Sequence, residues 1–344
     1  MNDIAFYIGT TFIYYHSIIT ALAVAAAVLA AVSLRRVQGE NGGDILKIAA
    51  ASFIPASLLS KLVYCSFYRD QYSGIGDMLT SWGRGGNCLP GAALGIILTM
   101  FVMNKIRPFD DLPALLDALA PACALGLCVG RLAGYFSSDD RGRIIDDAGF
   151  QKFPFGVYNS AKGVWEVSVF TMESIAGGLI FILTAIMFMR IYGRNGNAEL
   201  RGKCHVLLLF LTLFGTTQGT LESMRLDSLF FAGLGFVRLT QILSLIFLVA
   251  VHVFYSVTSI KKNGFCLSHI IIWALAAGVL ALAIVLEFRQ NSSSYAKYYM
   301  IMEICLALFS LASFVFYLSS TGRLDSLFSK PLGGKDNKRR YERF

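Results

Sequence analysis

Nine stretches of this chain are long and apolar enough to cross a lipid bilayer, and nothing else in the sequence constrains the fold as much. A membrane-spanning helix needs about 20 predominantly apolar residues. Runs at 14–34, 45–67, 89–106, 112–130, 169–192, 204–221, 235–258, 266–286 and 299–319 have that character. Inside lipid every backbone N–H and C=O must be bonded within the protein. Runs of this length therefore read as helices, and the chain as an all-α polytopic membrane protein. Charged residues make up 15% of the chain, against about 25% in soluble domains. This excludes a secreted disulfide scaffold, a disordered chain and an ordinary cytosolic enzyme. The first run has no basic stretch before it and is followed by Arg35 and Arg36, so it reads as a span rather than a signal peptide. Lys47 and Lys61, near the ends of the second run, are expected to snorkel toward the membrane surface.

Orientation follows from the basic residues of the short loops, which favour the cytoplasmic side. The compact segments 105–111, 190–203 and 259–263 are all basic. With the N-terminus outside and the C-terminus in the cytoplasm, all three face inward. The tail 322–344 also faces inward. It holds Arg323, Lys330, Lys335, Lys338, Arg339, Arg340 and Arg343, a pattern that suits anionic lipid better than nucleic acid. The segment 131–168 is the one long hydrophilic insertion. Its charges are interleaved with Phe150, Phe153, Phe155, Tyr158 and Trp165, so a small ordered head at the outer surface is expected. The seven cysteines are irregularly spaced and describe no disulfide framework. The four histidines form no metal-ligand pair with each other or with a cysteine, so no structural metal is expected.

Ionisable residues in a membrane span default to a functional reading. Asp117, Glu173, Glu222, Arg225, Arg238 and Glu303 lie in or beside the runs, and Arg131 and Arg143 follow the fourth. Several arginines facing several carboxylates at one membrane boundary suit a phospholipid headgroup, because the guanidinium fork matches phosphate bidentately. A structural reading stays open for each. Glu222 and Arg225 are spaced i, i+3, an ordinary helical pair. Glu303 stands alone. Asp117, four residues before Pro121, suits capping as well as catalysis.

Residues 88–143 read CLPGAALGIILTMFVMNKIRPFDDLPALLDALAPACALGLCVGRLAGYFSSDDRGR. This resembles the prolipoprotein diacylglyceryl transferases, in which an apolar glycine-rich span leads through a short basic loop to an LADLLAPxxxLGxxxGR span and the signature G-R-x-G-N-F-x-N-x-E-x-x-G-R. Further blocks follow in order. VSVFTMESIAGGLIFIL is similar to the family's HPSQLYEAxxxG segment, LFGTTQGTLESMR to RFxVExxR, GFVRLTQILSL to GLTxGQxLSL, and FYIGTTFIYYHSI to the family's start. The resemblance covers roughly residues 5–258. It implies a seven-helix core over 1–260, a pair of added helices over 261–321 and the basic tail.

The resemblance also implies a function. Such enzymes of the bacterial plasma membrane move a diacylglyceryl group from phosphatidylglycerol to the cysteine thiol of a lipobox-containing prolipoprotein. They use no metal or redox cofactor. Carried over by position, the implied site is Arg131 and Gly142–Arg143 from the signature, with Asp139 on its Glu. Glu173 falls on the Glu of QLYE, Glu222 and Arg225 on the VExxR pair, and Gln241 on the GQ. The chain departs from the pattern at Pro90 for His, Gly134 for Asn, Met172 for Tyr, Gln218 for Arg and His16 for Tyr. His16 is either a general base, since an imidazole titrates near neutral pH, or part of an interfacial aromatic belt with Tyr14 and Tyr15. Two alternatives to transfer stay open: a catalytically inactive homologue that binds anionic phospholipid as a scaffold or regulator, and a transporter.

Overall fold

The computed structural model describes residues 4–9, 11–80, 86–137, 141–231, 237–289 and 295–328. It is predominantly helical. The helices are α1 (Tyr15–Val37), α2 (Gly43–Phe67), α3 (Ile75–Thr80), α4 (Leu89–Ile106), α5 (Leu112–Arg131), α6 (Val169–Tyr192), α7 (His205–Met224), α8 (Leu239–Asn263), α9 (Leu267–Glu287) and α10 (Tyr295–Ser320). Eight of them are long and apolar enough to cross a membrane. The expected run at 204–221 forms α7, which falls outside that set. Its polar residues Thr212, Thr216, Gln218, Thr220, Glu222 and Ser223 are all buried, so they lower its apolar character without facing lipid. Of the basic tail, residues 329–344 lie outside the described residues.

The chain divides into two compact units, Met1–Phe210 with Met224–Thr240, and Leu211–Ser223 with Gln241–Phe344. In the first unit the helices pack through glycines, as membrane helices do where backbones approach closely. A Cβ at Gly95 of α4 would stand 2.5 Å from Ala56 Cα of α2, and one at Gly91 would stand 2.5 Å from the Leu59 carbonyl oxygen. Gly177 of α6 lies close against the Cys128 backbone of α5, where a Cβ would be 2.8 Å from the nitrogen. Lys61 departs from expectation. It is wholly buried in α2, and its ammonium sits 5.6 Å from the centre of the Tyr72 ring, a cation–π contact in place of snorkelling.

Asp117 of α5 shows how the first unit is locked. It is wholly buried. Its Oδ1 accepts from the N–H groups of Val206 (2.9 Å) and Leu207 (3.0 Å), and its Oδ2 from the Tyr192 hydroxyl (3.0 Å). The first turn of a helix leaves N–H groups without partners. The residue before α7 is Cys204, at φ 55°; its carbonyl accepts from the Leu208 N–H at 2.9 Å, but its side chain has no oxygen to offer the N–H groups before that. Asp117 therefore caps α7 from a neighbouring helix.

Two small sheets add to the helical plan. A hairpin pairs β1 (Ile4–Ile8) with β2 (Thr11–Tyr14). The expected head is an antiparallel sheet of β3 (Arg141–Ile144), β4 (Gly156–Asn159) and β5 (Val164–Ser168) in the order β3-β5-β4. Its buried anchor is Glu166 on the central strand, which accepts from Lys162 Nζ (2.9 Å), Asn159 Nδ2 (3.0 Å) and Arg141 Nη1 (3.4 Å). Burial pushes the Glu166 carboxyl up, but these donors and the Lys162 charge outweigh it, and the group titrates below the ordinary glutamate value. A carboxyl depressed in the folded state stabilises above its unfolded pKa, about 4.3, and that contribution is lost as pH falls through the folded value. Hydrogen-exchange protection of β5 amides is therefore expected to hold from pH 7 to about 5 and to drop below about 4. Glu166→Gln should remove most of that acid dependence; an unchanged profile would sink the assignment.

In the second unit, Gly215 of α7 packs against α8, where a Cβ would lie 2.9 Å from the Ser244 carbonyl oxygen. The last two spans, α9 and α10, contribute buried polar contacts. His252 Nδ1 of α8 bonds Ser313 Oγ of α10 at 2.9 Å. Ser259 bonds His269 Nε2 at 3.1 Å and Ser319 Oγ at 2.6 Å. At the C-terminal end of α7, Ser223 Oγ donates to Glu287 Oε2 of α9 (2.6 Å), and the Tyr299 hydroxyl of α10 donates to the Ser223 carbonyl (3.1 Å).

Candidate active site

Arg131 is the last residue of α5, and Glu173 lies in the second turn of α6. The close α5–α6 contact at Gly177 brings these helix ends together. Arg131 Nε stands 3.1 Å from Glu173 Oε2, and the Glu173 side chain is 0% exposed. Arg225, in the segment after α7, approaches the other oxygen of the same carboxylate, with Nη1 3.9 Å from Oε1. One buried anion is thus shared by two guanidiniums that lie 94 residues apart in the chain.

The head holds Arg225 in place. The Leu226 N–H donates to the Arg141 carbonyl of β3 at 3.1 Å. Gly142 makes the approach possible, since a Cβ there would lie 2.7 Å from the Met224 carbonyl oxygen and 2.8 Å from Val167 Cβ. The missing side chain supplies the space this approach needs. Arg225 also forks onto Asp227, with Nε 3.1 Å from Oδ1 and Nη2 2.9 Å from Oδ2. Tyr68, at the C-terminal end of α2, borders the same charges. Burial and the Asp227 carboxylate push its phenol up, and the Arg225 guanidinium pulls it down.

The first unit therefore brings together Arg131, Glu173 and Arg225, with Gly142 as the spacer. Arg143 lies on β3 and is partly exposed. His16 is exposed in the first turn of α1, next to Tyr15, whose ring stacks 4.9 Å from that of Phe136. Glu222 is buried in the second unit. Gln241, in the same unit, donates to the Gly219 carbonyl at 3.3 Å and also reaches Ser223 Oγ. Asp139 lies outside the described residues. Asp227 and Tyr68 escaped the sequence reading. Asp227 had a faint signal as an acid two residues after a candidate arginine. Tyr68 had none, because only folding brings the end of α2 to this place.

The family model for prolipoprotein diacylglyceryl transferase matches residues 3–257. The chain belongs to that family. A relative from Clostridium perfringens, phosphatidylglycerol–prolipoprotein diacylglyceryl transferase 1, is 26% identical over 77% of this chain and 98% of its own length. A similarly named enzyme from Finegoldia magna is 26% identical over 73% of the chain and 93% of its own length. One from Clostridium botulinum is 23% identical over 76% and 99%. The match places this diacylglyceryl transferase family member among the multi-pass membrane transferases of lipoprotein biosynthesis. It ends within α8, so α9 and α10 lie beyond it.

Proposed function

We propose that the chain transfers a diacylglyceryl group from phosphatidylglycerol to a prolipoprotein cysteine at the outer face of the bacterial plasma membrane, with its N-terminus outside and its C-terminus in the cytoplasm. The observation that carries this reading is the pair Arg131 and Arg225 on the single buried carboxylate of Glu173. In the reaction the cysteine sulfur attacks the glycerol carbon that bears the phosphate. The S–C bond forms, the C–O bond breaks, and glycerol phosphate leaves with the electron pair while the thiol proton passes to solvent. The step is redox-neutral. Its demand is for positive charge where the phosphate oxygen departs, and pre-aimed guanidiniums supply that without reorganising. Arg131 and Arg143 hold the headgroup phosphate, and Arg225 neutralises the leaving group. Glu173 aims two of these arginines. By their positions in the family pattern, Asp139, Glu222 and Gln241 are assigned supporting roles.

The test is transfer of labelled diacylglyceryl from phosphatidylglycerol to a lipobox peptide by the purified protein, beside Arg131→Ala. Transfer by the parent that the variant loses is expected. No transfer by a preparation that still binds the lipid would overturn the proposal in favour of a second reading, a binding protein without transfer. One contact favours that second reading: Asp227 already occupies the Arg225 fork that would receive phosphate. His16→Gln is expected to leave the transfer rate within about twofold, because an exposed imidazole is readily replaced by water as a proton acceptor. A hundredfold loss would instead make His16 the base.

A further inference from the structure

The end of the first unit remote from Arg131 holds a cavity of about 740 Å³ lined by Arg35, Gln38, Glu40, Asp111, Arg194 and Arg201, among others. Asp111 precedes α5 and Arg194 follows α6, whereas Arg131 ends α5 and Glu173 lies near the start of α6. A 20-residue helix separates the two places by about 30 Å.

Arg35 is what makes this more than a surface hollow. It is 2% exposed. Its Nη1 donates to Gln38 Oε1 (2.8 Å), and Gln38 Nε2 donates onward to the Ala114 carbonyl (2.7 Å). Its Nε has no acceptor, and among the described residues no carboxylate makes an ion pair with it. The C-terminal dipole of α1 favours a cation at this position, but it does not satisfy an N–H. A buried charge without a counter-ion is strongly destabilising, so the cavity wall is built to face an anion.

We propose that this cavity is a second, separate binding site for a phosphate group. Arg194 and Arg201 line the same cavity, and Arg201 is held by its Nε, which donates to the Ile191 carbonyl at 3.1 Å. Three guanidiniums face the two carboxylates of Glu40 and Asp111. One of those is partly engaged, since Asp111 Oδ1 accepts from the Ala114 N–H at 2.9 Å and caps α5. The remaining carboxylate oxygens accept from hydroxyl or amine groups. That combination suits a phosphodiester with a hydroxyl- or amine-bearing headgroup, and the site takes its phosphate from a phospholipid of the leaflet opposite the Arg131 cluster.

Two binding measurements on the full chain in detergent test this, neither depending on transfer. The first counts bound dioleoylphosphatidylglycerol by native mass spectrometry. The second follows thermal unfolding with inorganic phosphate against chloride at equal ionic strength. Arg35→Gln is expected to hold one lipid fewer per chain than the parent, with at least a tenfold weaker affinity for it. Arg194→Gln, at an exposed position, should weaken the same lipid severalfold, and it decides the matter should Arg35→Gln not fold. An unchanged lipid count would assign the site to free phosphate, provided that phosphate raises the unfolding temperature of the parent by several degrees and that of the variants by less. Variants that match the parent in both measurements would overturn the site and leave the cavity to water.

Discussion

Glu173→Gln is expected to lower diacylglyceryl transfer by a hundredfold or more while the protein still folds. The Glu173 side chain is wholly buried, and each of its oxygens faces a different guanidinium. The amide keeps the shape and removes the charge. Arg131 and Arg225 then repel each other across a largely buried site, and their aim at the departing phosphate is lost. Misaimed electrostatic stabilisation of a transition state costs about 2.7–4 kcal/mol, or 10²–10³ in rate. Glu173→Asp restores the charge but shortens the reach by one methylene, so a loss of about tenfold is expected, or roughly 1.4 kcal/mol. The positioning role makes a further demand. Because the lipid's acyl chains still bind, kcat should fall more than KM rises. Transfer by Glu173→Gln within threefold of the parent would show that the carboxylate is only structural.

Asp117→Leu should produce the largest loss of stability of any single change in the first unit, about 3–5 kcal/mol, the usual cost of stripping one side from a buried charged network. It leaves the Val206 and Leu207 N–H groups and the Tyr192 hydroxyl without the acceptor they share. Asp117→Asn keeps one acceptor oxygen and turns a donor toward the others, so a loss of about 1–3 kcal/mol is expected. Unfolding in mixed detergent micelles measures both. The folded fraction of Asp117→Asn should transfer at close to the parent rate, since Asp117 sits at the opposite end of the bundle from Arg131 and acts on α7 through backbone donors. A loss below about 1 kcal/mol for Asp117→Leu would mean that the start of α7 is held by other contacts.

The limits of reading the chain in one dimension show at particular residues. The span boundaries were legible because bilayer thickness imposes a run length on any helix that crosses it. The run at 204–221 shows the limit of that argument. α7 is present, yet its inward polar face makes it the least membrane-like of the long helices. Lys61 and Asp117 were visible as charges in apolar surroundings. Nothing local indicated that one would meet a tyrosine ring and the other would cap a helix about 90 residues later. Arg131, Glu173 and Arg225 were legible through a family pattern, whereas Asp227 and Tyr68 join them only by proximity.

The sequence by itself determined that this is a multi-pass membrane protein, where most of its helices begin and end, and which family it resembles. All three are properties of composition and order along the chain, and the bilayer acts on them locally. Only the tertiary structure decided that one carboxylate serves two arginines, that β3 of the head holds the Arg225 segment, and that Arg35 is buried with no counter-ion among the described residues. Those outcomes depend on which helix faces meet and how closely. Contacts such as Gly177 on Cys128 and Gly142 on Met224 set that distance. Such contacts are non-local, and a difference of one Cβ changes them while leaving the apolar character of the run almost unaltered.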